Sequence, residues 1–209
     1  MNKKMNILSA LFAFYAAGVV VQNILATKQI DLWIFTLAAG ILVTPLVFII
    51  QDVVTEVFGY KTGKRMVITG FAVNAVVALL YAIAVAIPPA KTWGNQAAFE
   101  TILGSTIRIT LASLAAYFVG SLANTKVMAK MKKEKGIFFV RAVFSTLIGQ
   151  FLDDLIFIFG AFYGTLPVKT LVAMVAAGVL CETLYEIVIF PITKKVTEKV
   201  GKEVIENEN

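Results

Sequence analysis

Apolar residues along this chain gather in six long runs, separated by short segments rich in lysine, glycine or proline. Each run reaches the roughly 20 residues that a helix needs to cross about 30 Å of hydrocarbon. The pattern predicts an all-α membrane protein, a six-transmembrane-helix bundle that forms a single domain over residues 1–209. The first run exceeds the roughly 7 to 15 apolar residues of a signal peptide, so we interpret it as a retained span. The predicted spans cover residues 7–26, 33–54, 66–87, 102–123, 138–162 and 170–192.

The composition agrees with a membrane protein and excludes several other classes. Hydrophobic residues make up 59% of the chain, against about 45 to 50% in soluble domains. The net charge of +6 does not indicate nucleic-acid binding, because the basic residues lie in the short loops between apolar runs. One cysteine and no histidine exclude disulfides, Cys/His metal sites and histidine bases. We therefore expect neither a metal nor a cofactor.

The basic residues also predict the orientation of the chain. One set of loops is rich in lysine and arginine, whereas the opposite set has only Lys28, Lys91 and Lys169. The rich side is expected to be cytoplasmic. Both termini then lie in the cytoplasm of a multi-pass protein of the cell (inner or plasma) membrane. The rich side carries Lys3, Lys4, Lys61, Lys64, Arg65, Lys126, Lys130, Lys132, Lys133, Lys135, Arg141, Lys194, Lys195, Lys199 and Lys202.

Ionisable side chains fall inside or at the ends of the apolar runs, where exposure to lipid costs about 3 kcal/mol for each. We therefore expect them to face a polar interior. A proton, a cationic side chain, bound water or a ligand could compensate the acids, and the sequence leaves these alternatives open. The residues concerned are Asp52, Glu56, Arg108, Asp153, Asp154, Glu182 and Glu186.

Helical spacing indicates which of these residues share a face. Two polar stripes result, one on the fifth run and one on the sixth. Asp154 lies about 100° round the helix from Asp153, so it need not share the role of that residue. The stripes are Thr146, Gly149, Gln150 and Asp153 on the fifth run, and Gly178, Glu182, Tyr185 and Glu186 on the sixth.

The fourth run carries a seam of small residues at every fourth position, which lets two helix backbones approach closely and permits a homodimer. The seam consists of Arg108, Ala112, Ala116, Gly120 and Asn124.

Structural roles remain alternatives for several of these polar residues. Arg108 could extend to the headgroups instead of the interior. Asp52 and Glu56 could lie in the cytoplasmic interface, within reach of Lys61, Lys64 and Arg65. The amides of Gln22, Asn23 and Asn74 could simply join neighbouring helices.

Five segments, in this order along the chain, resemble the YhhQ-like queuosine-precursor transporters, a family also described as vitamin uptake transporters. They are QNILATK, DVVTEVFGY, IRITLASLAAYFVG, STLIGQFLDDLIFIFGAF and ETLYEIVIFP. The resemblance covers nearly the whole chain and implies import of 7-deazaguanine precursors such as preQ0 and preQ1 across the inner membrane. The chain departs from the family at Glu182, where a lysine is frequent, and at Asn124, where an acid is frequent.

A 7-deazaguanine suits a site of this kind, because its paired N–H groups can be accepted by one carboxylate and its flat faces can stack on aromatic rings. We expect Asp153 or Glu182 to accept the N–H groups, with Gln150 and either Asn23 or Arg108 completing the site. The remaining candidates for substrate contact are Asp52, Glu56, Tyr185 and Glu186.

Two other transport functions fit the same sequence features. One is the substrate-binding subunit of an energy-coupling-factor vitamin importer, and the other is a proton or cation channel. An enzyme is not expected, because the chain lacks the G-x-G-D element of intramembrane aspartyl proteases and the D-G-x-x-A-R pattern of phosphatidyltransferases. It also lacks a nucleotide-binding P-loop.

Overall fold

The computed structural model describes residues 3–32, 35–104, 107–134, 137–164 and 166–205. Seven helices and one short β-hairpin make up this part of the chain. The hairpin pairs its two strands antiparallel and is followed by a 3₁₀ turn at Ala39–Leu42. The elements are α1 (Lys3–Leu25), β1 (Gln29–Leu32), β2 (Phe35–Ala38), α2 (Thr44–Phe58), α3 (Tyr60–Ala86), α4 (Gln96–Leu103), α5 (Ile107–Lys133), α6 (Phe138–Phe162) and α7 (Val168–Ile205).

Four helices in the described ranges, α1, α3, α6 and α7, are long and apolar enough to cross a membrane. Their outer surfaces carry large exposed apolar side chains at helical spacing, as lipid contact requires. Helix α5 is as long as α3, at 27 residues, but it carries more polar side chains. The predicted number of six spans and the predicted orientation therefore stay predictions.

The second predicted span, residues 33–54, is not one continuous helix. The hairpin and the 3₁₀ turn occupy its first part, and α2 begins only at Thr44. Pro45 lies in the first turn of α2, where its missing N–H costs nothing, whereas in a helix interior it would break the hydrogen-bond ladder. With 15 residues, α2 spans only about 22 Å, which is short of the hydrocarbon thickness.

The other predicted boundaries agree to different extents. The fifth span was predicted at 138–162 and is observed as α6, Phe138–Phe162. The start of the predicted fourth span belongs to the separate helix α4, and α5 continues to Lys133. Helix α7 continues past Pro191 to Ile205, well beyond the predicted end at residue 192.

Helices α5 and α6 pack antiparallel and very closely, and the small-residue seam of α5 is the reason. A β-carbon placed on Gly120 would lie 2.8 Å from both the backbone oxygen of Gly149 and the Cβ of Asp153. A β-carbon on Gly160 would lie 2.8 Å from the Cβ of Ala112. The seam thus packs against α6 inside one chain and is not free to contact a second copy. The homodimer stays a prediction, and the seam no longer supports it.

We expect Gly120→Ala to destabilise the protein by about 1 to 3 kcal/mol, because the added methyl group would force α5 and α6 apart. Gly94→Ala is the matched control, since nothing lies within 4 Å of a β-carbon at Gly94. The measurement is the thermal unfolding midpoint in detergent. Equal midpoints for the two variants would contradict the close helix contact.

Candidate substrate site

A cavity of about 420 Å³ opens at one end of the bundle, between α1, α3, α4, α5 and α6. It lies at the opposite end from the start of α6 and the end of α5. Its wall combines amides, hydroxyls and aromatic rings, a mixture typical of small-molecule sites. The polar lining consists of Asn23, Thr27, Asn74, Tyr81, Thr101 and Ser113, and the aromatic rings of Phe157 and Phe162 complete it.

Two amides from different helices meet in this cavity. The Nδ2 of Asn23 on α1 donates a hydrogen bond of 2.8 Å to the Oδ1 of Asn74 on α3. Asn74 is only 5% exposed, so α1 and α3 hold it firmly. The sequence predicted Asn23 as a candidate for substrate contact, and the structure does place it in a cavity.

Below the cavity, a chain of hydrogen bonds crosses the bundle through four helices. The Tyr15 hydroxyl donates to Oε1 of Gln51 at 2.8 Å, and Nε2 of Gln51 donates to Oδ1 of Asn124 at 2.9 Å. The chain continues from Asn124 to Thr146 at 3.4 Å, and the Tyr117 hydroxyl donates to that of Tyr15 at 3.1 Å. These bonds join α1, α2, α5 and α6 into a polar layer that lies further inward along the bundle than the residues lining the cavity.

Asp153 belongs to this layer. Its Cβ packs against Gly120, and its carboxylate interacts electrostatically with the hydroxyls of Tyr15 and Tyr117. Phe157, which lines the cavity, follows Asp153 by one turn of α6, so the carboxylate lies about 6 Å further along the helix axis. Asp153 therefore lies about one helical turn inward of the cavity wall and is not itself one of the lining residues.

Asp154 and Glu182 form an acidic pair between α6 and α7. The Asp154 carboxylate contacts Gly178, whose missing side chain makes room for it. Glu182 interacts electrostatically with Asp154 and, more weakly, with Asp153. Oδ2 of Asp154 and Oε2 of Glu182 are buried and accept no hydrogen bond from the described residues. Asp154, which helical spacing separates from Asp153, is thus the closer partner of Glu182.

At the other end of the bundle, Glu56 is held by two cations from distant parts of the chain. Arg141 donates two hydrogen bonds to its carboxylate, of 2.7 and 3.0 Å. Lys132 approaches the same carboxylate to 3.4 Å and also donates to the Glu56 backbone oxygen. Within the described ranges, Arg141 and Lys132 are therefore the cations that bind Glu56. The sequence had suggested its neighbours Lys61, Lys64 and Arg65 instead.

Asp52 and Glu186 lie beside this ion pair and are each only 1% exposed. Asp52 interacts electrostatically with Glu186 on α7, with Glu56 and with Arg141. None of the four carboxylate oxygens accepts a hydrogen bond from the part of the chain that the structure describes. A solvated interfacial loop is therefore the wrong description of Asp52.

The predicted site residues thus fall into separate places. Asn23 lines the cavity and Asp153 lies beneath it, whereas Gln150 and Tyr185 are partly buried on α6 and α7 away from the cavity wall. The Arg108 side chain lies outside the described residues. Asp154 and Glu182 meet between α6 and α7, and Asp52, Glu56 and Glu186 meet near the far end.

Sequence reasoning missed several residues that build this site. Tyr15 and Tyr81 stand in apolar runs with no polar residue one helical turn away, and Ser113 was one of many small residues. Gln51 directly precedes Asp52 and was a detectable signal, because a buried amide needs a partner. Asn74 was assigned a helix-joining role, and its hydrogen bond to Asn23 confirms that role while placing it in the cavity wall.

Apolar helices around a polar cavity are typical of a multi-pass transporter of the cell membrane, and the comparisons with known proteins agree. Residues 38–196 match the model of the family described as "Putative vitamin uptake transporter". That match covers more than half of the chain, so the protein belongs to this family of membrane transporters, which implies a small-molecule substrate. No solved structure matches the chain.

Two relatives carry a more specific name, "Probable queuosine precursor transporter". The one from Bacillus subtilis (strain 168) is 26% identical over 160 residues, which is 75% of this chain and 70% of the relative. The one from Haemophilus influenzae is 27% identical over 124 residues, which is 59% of this chain and 51% of the relative. The chain therefore matches only about half of the Haemophilus protein.

Proposed function

We propose that the protein imports queuosine precursors, 7-deazaguanines such as preQ0 and preQ1, across the cell membrane. The observation that carries the proposal is the cavity lined by amides and aromatic rings, with the partly buried carboxylate of Asp153 one helical turn inward from Phe157 in its wall. The names of both relatives support the same substrate class. In this proposal the protein moves its substrate without changing it chemically.

The cavity suits a flat, nitrogen-rich ring. Phe157 and Tyr81 supply faces on which such a ring can stack, and its paired N–H groups match the two oxygens of a carboxylate. We assign Asp153 to accept these groups after the ring has moved inward, with Glu182 and Gln150 nearby on the inner side. Tyr185 and Arg108 remain candidates for further contacts.

The direction of transport follows from the proposed topology. In this topology α1, α3, α5, α6 and α7 each cross the membrane, the sixth crossing consists of α2 together with the hairpin and 3₁₀ turn before it, and the lysine-rich end faces the cytoplasm. The cavity then opens to the outside. Asp52, Glu56 and Glu186 lie towards the cytoplasmic end, on the exit side of the route.

Queuosine content of tRNA tests the proposal. The host is a strain that can neither make queuosine precursors nor import them, and it is fed preQ0, preQ1 or queuine separately. We expect the protein to restore queuosine with preQ0 or preQ1 and an empty vector to restore none. Failure with all three compounds would overturn the substrate class.

A requirement for co-expressed ATPase subunits would instead identify a substrate-binding subunit of an energy-coupling-factor importer. Ionic currents independent of the precursors would indicate a channel. Both outcomes would contradict the stand-alone importer.

A further inference from the structure

We infer that the amides of Asn23 and Asn74 form a neutral recognition pair in the outer cavity, selecting rings that carry a lactam edge, in which an N–H lies next to a C=O. This inference rests on the proposed function and adds a first, uncharged site that the substrate meets before Asp153. It assigns a specificity role to Asn74, for which the sequence indicated only a bond between helices.

The hydrogen-bonding groups of the pair support this role. The single bond of 2.8 Å between Asn23 and Asn74 uses one N–H of the first amide and one lone pair of the second. Within the described residues, no other hydrogen bond engages either amide. The Asn23 oxygen remains as an acceptor, and the Asn74 nitrogen remains as a donor.

A lactam edge is complementary to this arrangement. Its N–H can be accepted by the oxygen of Asn23, and its C=O can accept from the nitrogen of Asn74. In the orientation that a lactam adopts, an aminopyrimidine edge such as that of 7-deazaadenine presents donor to donor and acceptor to acceptor, so it leaves buried polar groups unpaired. A site that depends on hydrogen bonds rejects a mismatched ring strongly for this reason.

The surrounding wall can accommodate a bicyclic ring at this position. A cavity of about 420 Å³ lies within the usual range of about 300 to 1,000 Å³ for small-molecule sites. Tyr81 follows Asn74 by two turns of α3, and Phe157 approaches from α6, so aromatic side chains accompany the amide pair. The pair itself is uncharged, which allows a neutral ring to enter without a counter-ion.

Competition binding tests the inference. The purified protein is loaded with tritiated preQ0, which is then displaced with 7-deazaguanine or with 7-deazaadenine. For the unmodified protein we expect 7-deazaguanine to compete at least tenfold better. Asn74→Asp replaces the donor by an acceptor, and we expect it to reduce this preference at least tenfold.

Gln22→Glu is the matched control, because it makes the same amide-to-acid change one residue from Asn23. Gln22 donates to the Thr44 hydroxyl at 3.1 Å and does not line the cavity. A carboxylate at position 22 can still accept a hydrogen bond from the Thr44 hydroxyl. The preference for 7-deazaguanine over 7-deazaadenine should therefore change less than twofold.

The unmodified protein alone keeps the inference testable if Asn74→Asp does not fold. Equal competition by the two rings would overturn the amide pair while leaving import intact. Absence of both binding and uptake of preQ0 would overturn the proposed function itself.

Discussion

Replacing Arg141 with methionine is expected to destabilise the folded protein by about 2 to 4 kcal/mol, because removing one partner of a fully buried ion pair costs about 3 to 5 kcal/mol and Glu56 is partly exposed. Arg141 is 6% exposed, and its two hydrogen bonds hold Glu56 at 2.7 and 3.0 Å. Without the guanidinium, Glu56 retains only Lys132 among the described cations, and Asp52 loses its favourable interaction with Arg141. The measurement is the thermal unfolding midpoint of the purified protein in detergent.

A double-mutant cycle identifies the cause. Glu56→Gln combined with Arg141→Met should recover much of the lost stability, because neither charge is then left unpaired. Lys132→Met is the control, since Lys132 is 45% exposed and an exposed ion pair contributes about 1 kcal/mol or less. If the double variant is no more stable than Arg141→Met alone, the ion pair is not the reason for the loss.

Replacing Asp153 with asparagine is expected to reduce precursor uptake about tenfold to a hundredfold, while the protein still folds. The change keeps the size of the side chain and therefore its contact with Gly120. It removes the negative charge beside Tyr15 and Tyr117. A hydrogen bond to a charged group contributes about 1.5 to 3 kcal/mol, which corresponds to this loss of uptake.

Initial uptake rates in cells, corrected for the amount of protein in the membrane, provide the measurement. We expect Glu182→Gln to reduce uptake as well, because Glu182 interacts with both Asp153 and Asp154. Glu198→Gln is the control, since Glu198 is exposed and pairs with Lys194 on the surface of α7. Intact uptake in both Asp153→Asn and Glu182→Gln would show that these carboxylates do not hold the substrate.

Hydropathy identified the helices best where one apolar run forms one helix. The prediction of 138–162 for α6 was correct because both ends of that run are marked by polar or glycine-containing loops. It was wrong for residues 33–54, because hydropathy averages over Gly40 and Pro45 and does not detect a change of backbone conformation. Gly40 is needed there since a β-carbon would lie 2.7 Å from the backbone oxygen of Gln22.

Electrostatic partners were harder to predict than the acids themselves. The sequence left open what compensates the charge of Glu56, and it suggested Lys61, Lys64 and Arg65 as cations within reach. The observed partner, Arg141, is 85 positions further along the chain. The packing of the whole bundle brings these positions on α2 and α6 together, and no local pattern in the sequence encodes that contact.

The sequence by itself determined that this is a multi-pass membrane protein with acids inside its apolar runs, because hydropathy and the cost of burying charge act on each segment separately. Its motifs likewise indicated the transporter family. Only the tertiary structure decided that Asn23 meets Asn74 in a cavity, that Asp153 lies beneath it, and that Asp52 faces Glu186. These contacts join helices that are far apart in the chain, and helix packing alone brings them together.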